Sequence, residues 1–134
     1  METPKVLDVA TDSDPCLKEL SALVPVESIH SDEIQQLLLD MVETMYHAKG
    51  IGLAAPQIRV KKRIIVFYLP ASRDDINGVG IELTKLINPE ITPLNTEELC
   101  TDYEGCLSVP GVRGKVKRYK KIKYCGYTDD GSRI

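Results

Sequence analysis

The sequence has no tryptophan and one phenylalanine, and aromatic residues make up 5% of its 134 positions. So few rings argue against a base-stacking platform of the kind that holds single-stranded nucleic acid. Long apolar runs are missing as well. No stretch approaches about 18 consecutive apolar residues, so no membrane-crossing helix is expected. The opening METPKVLDV has no charged segment followed by an apolar one, so no secretory leader is expected. The four cysteines, Cys16, Cys100, Cys106 and Cys125, contain no C-x-x-C pair and are too sparse for a dense disulfide framework. Free thiols in a reducing compartment are the reading. Histidine is scarce, with only His30 and His47. A net charge of −3 gives no global attraction to nucleic acid or to an anionic membrane.

What is there is an ordinary globular composition, 43% hydrophobic and 28% charged, enough to build a core within one domain spanning 1–134. Residues 1–30 read as an extended arm, turning at Asp14-Pro15, with a short helical turn near Cys16 to Leu23. Ile34, Leu37, Leu38, Met41, Val42 and Met45 repeat at i, i+3, i+4, i+7, i+8 and i+11, so the spacing predicts an amphipathic helix over 32–48. Asp32 and Gln35 are placed as a capping box, and Lys49-Gly50 as the stop, with glycine in the left-handed position. "RIIVFYL" (63–69) reads as a buried strand ended by Pro70, and "ASRDDINGVG" (71–80) as a loop. "IELTKLINPEITPL" reads as two extended pieces around Asn88-Pro89. Residues 112–127 alternate, with Val116, Ile122, Tyr124 and Gly126 on one parity. The seven basic residues from Arg113 to Lys123 read as the solvated face of that strand, with an RNA-binding module as a weaker reading. Thr128-Asp129-Asp130-Gly131 is a hairpin signal, after which three residues remain. The fold class is α+β, built on antiparallel strands.

Two segments carry possible chemistry. Gly50-Ile51-Gly52-Leu53-Ala54-Ala55-Pro56-Gln57 contains G-x-G-x-x-A, but it follows a helix instead of a strand, and Pro56 blocks a following helix, so the dinucleotide reading fails. Either the glycines admit another backbone, such as an extended peptide, with Gln57 offering a carboxamide beside it, or this is a plain glycine-rich turn. In Glu104-Gly105-Cys106-Leu107-Ser108, Cys106 is either a small packing residue or a ligand.

Together, "GIGLAAPQ" followed by "EGCLS" resembles the peptide deformylase family, which removes the formyl group from the N-terminal methionine of new proteins. "DMVETMYHAKGIGLAAPQI", "RIIVFYL", "LINPEI" and "GYTDDG" extend the resemblance in the family's order, from about Val6 to Gly131. It implies a metal-dependent hydrolase acting on N-formylmethionyl nascent peptides near the ribosome, in the cytoplasm, with no membrane and no direct nucleic-acid binding. It implies a divalent metal, Fe²⁺ first, with Zn²⁺ or others possible, held by Cys106 and two histidines. It implies Gln57 and the Leu107 backbone N–H as oxyanion donors, Ile51 and Gly105 pairing with an extended peptide, and Gly50 and Gly52 keeping that approach clear. The family's H-E-x-x-H helix, with its two histidine ligands and catalytic glutamate, has no match here. His30 and His47 fit neither ligand position. The expectation is a domain that stops before that helix, with its metal site unfilled, inactive alone, and with strand faces near Ile64, Val66 and Leu107 laid open. The alternative is a non-catalytic relative that binds a peptide or partner.

Overall fold

The structure is a computed structural model, and it describes residues 2–70 and 80–134. The loop expected over 71–80 lies, apart from Gly80, outside the described residues. Among the described residues, one α-helix, α1 (Asp32–His47), stands against a four-stranded antiparallel sheet. The sheet has the order β1 (Gly52–Ala54), β2 (Ile64–Leu69), β3 (Ile81–Pro93), β6 (Ile122–Tyr127). A second sheet is a two-stranded ribbon, β4 (Leu99–Cys106) with β5 (Val109–Tyr119). This is the expected α+β arrangement of antiparallel strands.

The stripe on α1 does what its period requires. Ile34, Leu38, Met41 and Met45 are buried and pack in one cluster with Leu53, Ile64, Val66 and Ile87 of the sheet. Ser31 caps the helix by accepting from the Ile34 N–H at 3.3 Å. The cap therefore lies one residue before the expected Asp32. Gln35 instead sends its amide to the Ile29 and Asp129 carbonyls. At the other end it is Lys49, not Gly50, that takes the left-handed conformation, at φ 59°.

Ile64 and Val66 are 1% and 0% exposed beneath α1. The less covered face near them is the opposite one, where Ile65 and Phe67, one residue out of phase, are half-buried; Tyr68, at the end of the covered parity, is half-buried too. Leu107 is half-buried. Asn88, with φ 55°, does not divide two pieces but sits at a bulge within the continuous β3. Its amide holds both the Val24 N–H and the Val24 carbonyl at 2.8 Å. The alternation read over 112–127 belongs to two strands in different sheets, parted at Lys120-Lys121. Gly126 is required by packing, because a Cβ there would stand 2.8 Å from Leu86 Cδ1. The hairpin signal holds: Gly131 has φ 86°, and the returning Arg133 bridges to Tyr127.

The N-terminal arm runs extended along α1. Lys5 and Leu7 donate their backbone N–H groups to Asp40 Oδ1 and Thr44 Oγ1, both at 2.9 Å. It continues into the site, where Ala10 N donates to the Gln57 carbonyl at 2.6 Å and Asp12 N to the Ser108 carbonyl at 2.9 Å. The helical turn expected near Cys16 to Leu23 is shorter, a 3₁₀ turn at Pro15–Lys18.

Candidate active site

The two motifs meet in space. After α1 the chain enters the edge strand β1, then a 3₁₀ turn at Ala55–Ile58 that points Gln57 toward the end of the ribbon. Gln57 Oε1 accepts from the Ala54 N–H at 2.9 Å, which fixes the amide's orientation. Its Nε2 donates to Ser108 Oγ at 3.1 Å and faces the Cys106 sulfur at 3.7 Å. Cys106 ends β4, and Leu107-Ser108 make the tight turn into β5. The Cys106 thiol is exposed, while Ser108 is buried at 3%.

A groove of about 1010 Å³ opens at this junction. One wall is the chain from Lys49 to Gly52, and the other is the Tyr103–Leu107 and Val109–Arg113 end of the ribbon. Gln57 lies at its base. Gly52 pairs with Phe67 across β1–β2, so the outer edge of β1 is unpaired, and Ile51 stands 54% exposed at the rim. An unpaired strand edge offers N–H and C=O groups to an added strand. Gly105 pairs with Arg113 inside the ribbon. Among the described residues, no protein acceptor takes the Leu107 N–H.

At Gly50 a Cβ would stand 2.8 Å from Leu107 Cδ1, so the missing side chain makes room for Leu107 at the groove wall. Cβ atoms at Gly52 and Gly105 would meet ordinary contacts of 3.7–3.9 Å.

Ser108 and the Glu104–Arg118 pair went unassigned in the sequence reading. Ser108 restrains the Gln57 amide, and it lay within the EGCLS motif. Arg118 grips Glu104 with two bonds of 2.8 and 3.0 Å, and this hydrogen bonding holds the Glu104 carboxyl below its usual range. Glu104 is thereby kept as a carboxylate acceptor beside Cys106, not as a proton donor. The pair's 14-residue separation has no local signature.

A catalytic metal takes three protein ligands and keeps one position open. Among the described residues, Cys106 is the one ligand-type side chain drawn to Gln57, and His30 packs against Gly131. Among the described residues, no three of His, Cys, Asp and Glu converge. The donors present do not fit a complete metal centre.

The family model for polypeptide deformylase matches residues 6–134. The chain belongs to the polypeptide deformylase family. It is 45% identical over 121 residues to peptide deformylase 1 of Bordetella pertussis, covering 90% of this chain and 67% of that protein. It is 40% identical over 129 residues to peptide deformylase 2 of Pseudomonas putida, covering 96% of this chain and 72% of that one. Among solved structures, a class I type b peptide deformylase from Acinetobacter baumannii superposes with a TM-score of 0.85 at 36% identity, covering 97% of this chain and 81% of that one. Another structure of the Acinetobacter enzyme, with Met-Ala-Ser bound, matches with a TM-score of 0.86 at 34% identity, over 96% of this chain and 80% of that one. Peptide deformylases are metal-dependent hydrolases that act on formylated peptides. No helix among the described residues is long and apolar enough to cross a membrane.

Proposed function

We propose that the groove between β1 and the ribbon takes an N-formylmethionyl peptide, and that residues 1–134, as a single domain, present it for hydrolysis of the formyl amide. The observation that carries this reading is the Gln57 amide, fixed by Ala54 and Ser108 and facing Cys106 at the foot of an open strand edge. An extended peptide would lie along Ile51 and Gly105, exchanging backbone hydrogen bonds as an added strand does. Gly52 leaves its wall low. Gln57 Nε2 and the Leu107 N–H are the donors that face the formyl oxygen, where charge would develop during hydrolysis. Gly50 acts through Leu107, by letting that residue seat.

Cys106 is the thiol a divalent metal would use in this family, Fe²⁺ by expectation, with Zn²⁺ or another metal as alternatives. Since one donor does not make a site, the 134-residue chain by itself is assigned binding and orientation, and its own residues are given no hydrolytic step. Formylated termini belong to chains still being made, which supports a cytoplasmic reading near ribosomes.

The test is calorimetric titration of the chain with formyl-Met-Ala-Ser. Saturable binding is expected, weakened about three- to tenfold by Gln57→Ala, the worth of one net hydrogen bond. No saturable binding at millimolar peptide would overturn the reading. Formate release is expected to stay at the level of a Cys106→Ala control, and turnover above it would overturn the incompleteness of the donor set. The lone donor at the site also favours a second reading, a non-catalytic peptide- or partner-binding protein. Equal affinity for unformylated Met-Ala-Ser would decide for it.

A further inference from the structure

The β4–β5 ribbon sorts its charges by face. Directly paired residues of an antiparallel ladder share a face. The register Thr101↔Lys117, Tyr103↔Lys115, Gly105↔Arg113 therefore puts Arg113, Lys115 and Lys117 in one row. Consecutive members of that row stand about 6–7 Å apart, two residues along a strand. Leu99↔Tyr119 continues the same face. Among the described residues of the ribbon, this face carries no carboxylate. Asp102 and Glu104 are on the other side, where Glu104 is neutralised by Arg118. Glu97 and Glu98 lie beyond Leu99, and Glu98 Oε1 is bound by Asn95 Nδ2. Among the described residues, Arg113, Lys115 and Lys117 form no ion pair. Arg113 donates to the Tyr103 carbonyl at 3.3 Å, which holds its guanidinium on this face.

Tyr103 is directly opposite Lys115 and 58% exposed, and Tyr119 on the same face is 46% exposed. Aromatics are scarce in the chain as a whole, but two of the six tyrosines stand on the ribbon's basic face. A row of cations that tracks a backbone, with exposed rings beside it, is how sequence-tolerant single-strand binders are built.

We propose that this face binds single-stranded RNA, with phosphates on Arg113, Lys115 and Lys117 and unstacked bases on Tyr103 and Tyr119. A duplex would not supply unstacked bases. The choice of RNA over DNA rests on the reading that the substrates are chains still on the ribosome. The face replaces the expectation of no direct nucleic-acid contact, which came from the net charge of the whole chain and from the family likeness.

Fluorescence anisotropy with a labelled 12-nucleotide RNA, across a salt series, tests it. Three neutralised phosphates predict a slope of log K against log salt near about −2. The double variant Lys115→Glu, Lys117→Glu should weaken binding at least tenfold and flatten the slope. Tyr103→Ala should weaken it severalfold while leaving the slope in place, a split that loss of charge alone does not give. Lys61→Glu, Lys62→Glu, outside the ribbon and beside Ala22, should change little. An equal loss in that control pair would overturn the face as the site. Displacement of the RNA by an equally charged oligoglutamate would overturn it in favour of an acidic protein partner. Equal affinity for DNA of the same sequence would overturn the choice of RNA. Tyr103 and Arg113 also line the groove, but Lys115 and Lys117 do not, so formyl-peptide titration of the Lys115→Glu, Lys117→Glu variant should be unchanged, and failure here and failure of the groove reading are separable.

Discussion

The sheet beneath α1 and the β4–β5 ribbon are made of the same backbone ladder but are held by different forces. In the first, Leu38, Met41, Ile64, Val66 and Ile87 are removed from water by a helix. In the second, only Glu104 and Val116 among the interior positions of both strands are even half-buried, and cross-strand pairing holds the register. Burial leaves a core position little freedom of chemistry. The ribbon, having no core to serve, is free to spend both faces on charge, an ion pair on one and a cation row on the other. Its Cys106 end nevertheless sits against Gln57, so the exposed element carries half of the site.

The largest effect should separate the two regions outright. Leu38→Ala removes a fully buried side chain and is expected to cost about 2–5 kcal/mol in urea unfolding. Val116→Ala in the ribbon should cost under about 1 kcal/mol. Comparable losses would mean that the ribbon is as integral to the cooperative unit as the core. A smaller effect lies at the helix entrance. Ser31→Ala leaves the Ile34 N–H without its acceptor and should cost about 1 kcal/mol, whereas Asp32→Ala should cost less, since Asp32 is not the cap. The smallest effect is at the last hairpin. The Asp130 carboxylate accepts from Thr128 and Ser132, which pulls its pKa down to about 2 from the ordinary 3.8. A depressed folded value means the contribution is full above the unfolded value near 3.8 and fades as pH falls through about 2. Asp130→Asn should remove that acid-side decline in an unfolding series from pH 5 to 2, and a carboxyl chemical shift titrating near 4 would contradict the assignment.

Legibility in the sequence followed the same division. The helix could be read because a 3.6-residue stripe reports burial directly, and so could β2, from its β-branched run. The cap was misplaced by one residue because Ser31 and Asp32 are both good caps, and only the bond to Ile34 distinguishes them. The break between β5 and β6 was not visible. Lys120-Lys121 carry none of the residues that usually mark a turn, and the exposed alternation continues across them. The open sheet face was assigned to the wrong parity, because an unbroken apolar strand does not say which of its faces a helix covers. At the site, Gln57 and Cys106 were each nameable from their own motifs, but only the family resemblance joined them, since neither spacing nor composition brings positions 57 and 106 together. Ser108 was overlooked because its contribution is one hydroxyl acceptor and one backbone carbonyl.

The extended N-terminal arm has a consequence in time as well as space. Ala10 clasps the Gln57 loop and Asp12, two residues on, clasps the Ser108 turn. The two halves of the site are thus spaced by one short length of chain that belongs to neither. Those residues leave the ribosome before the loops they grip, and Asp12 has nothing to hold until Ser108 has been synthesised. A segment made before both halves of the site thus takes its place after them, and the spacing of carboxamide and thiol is clasped at that later step.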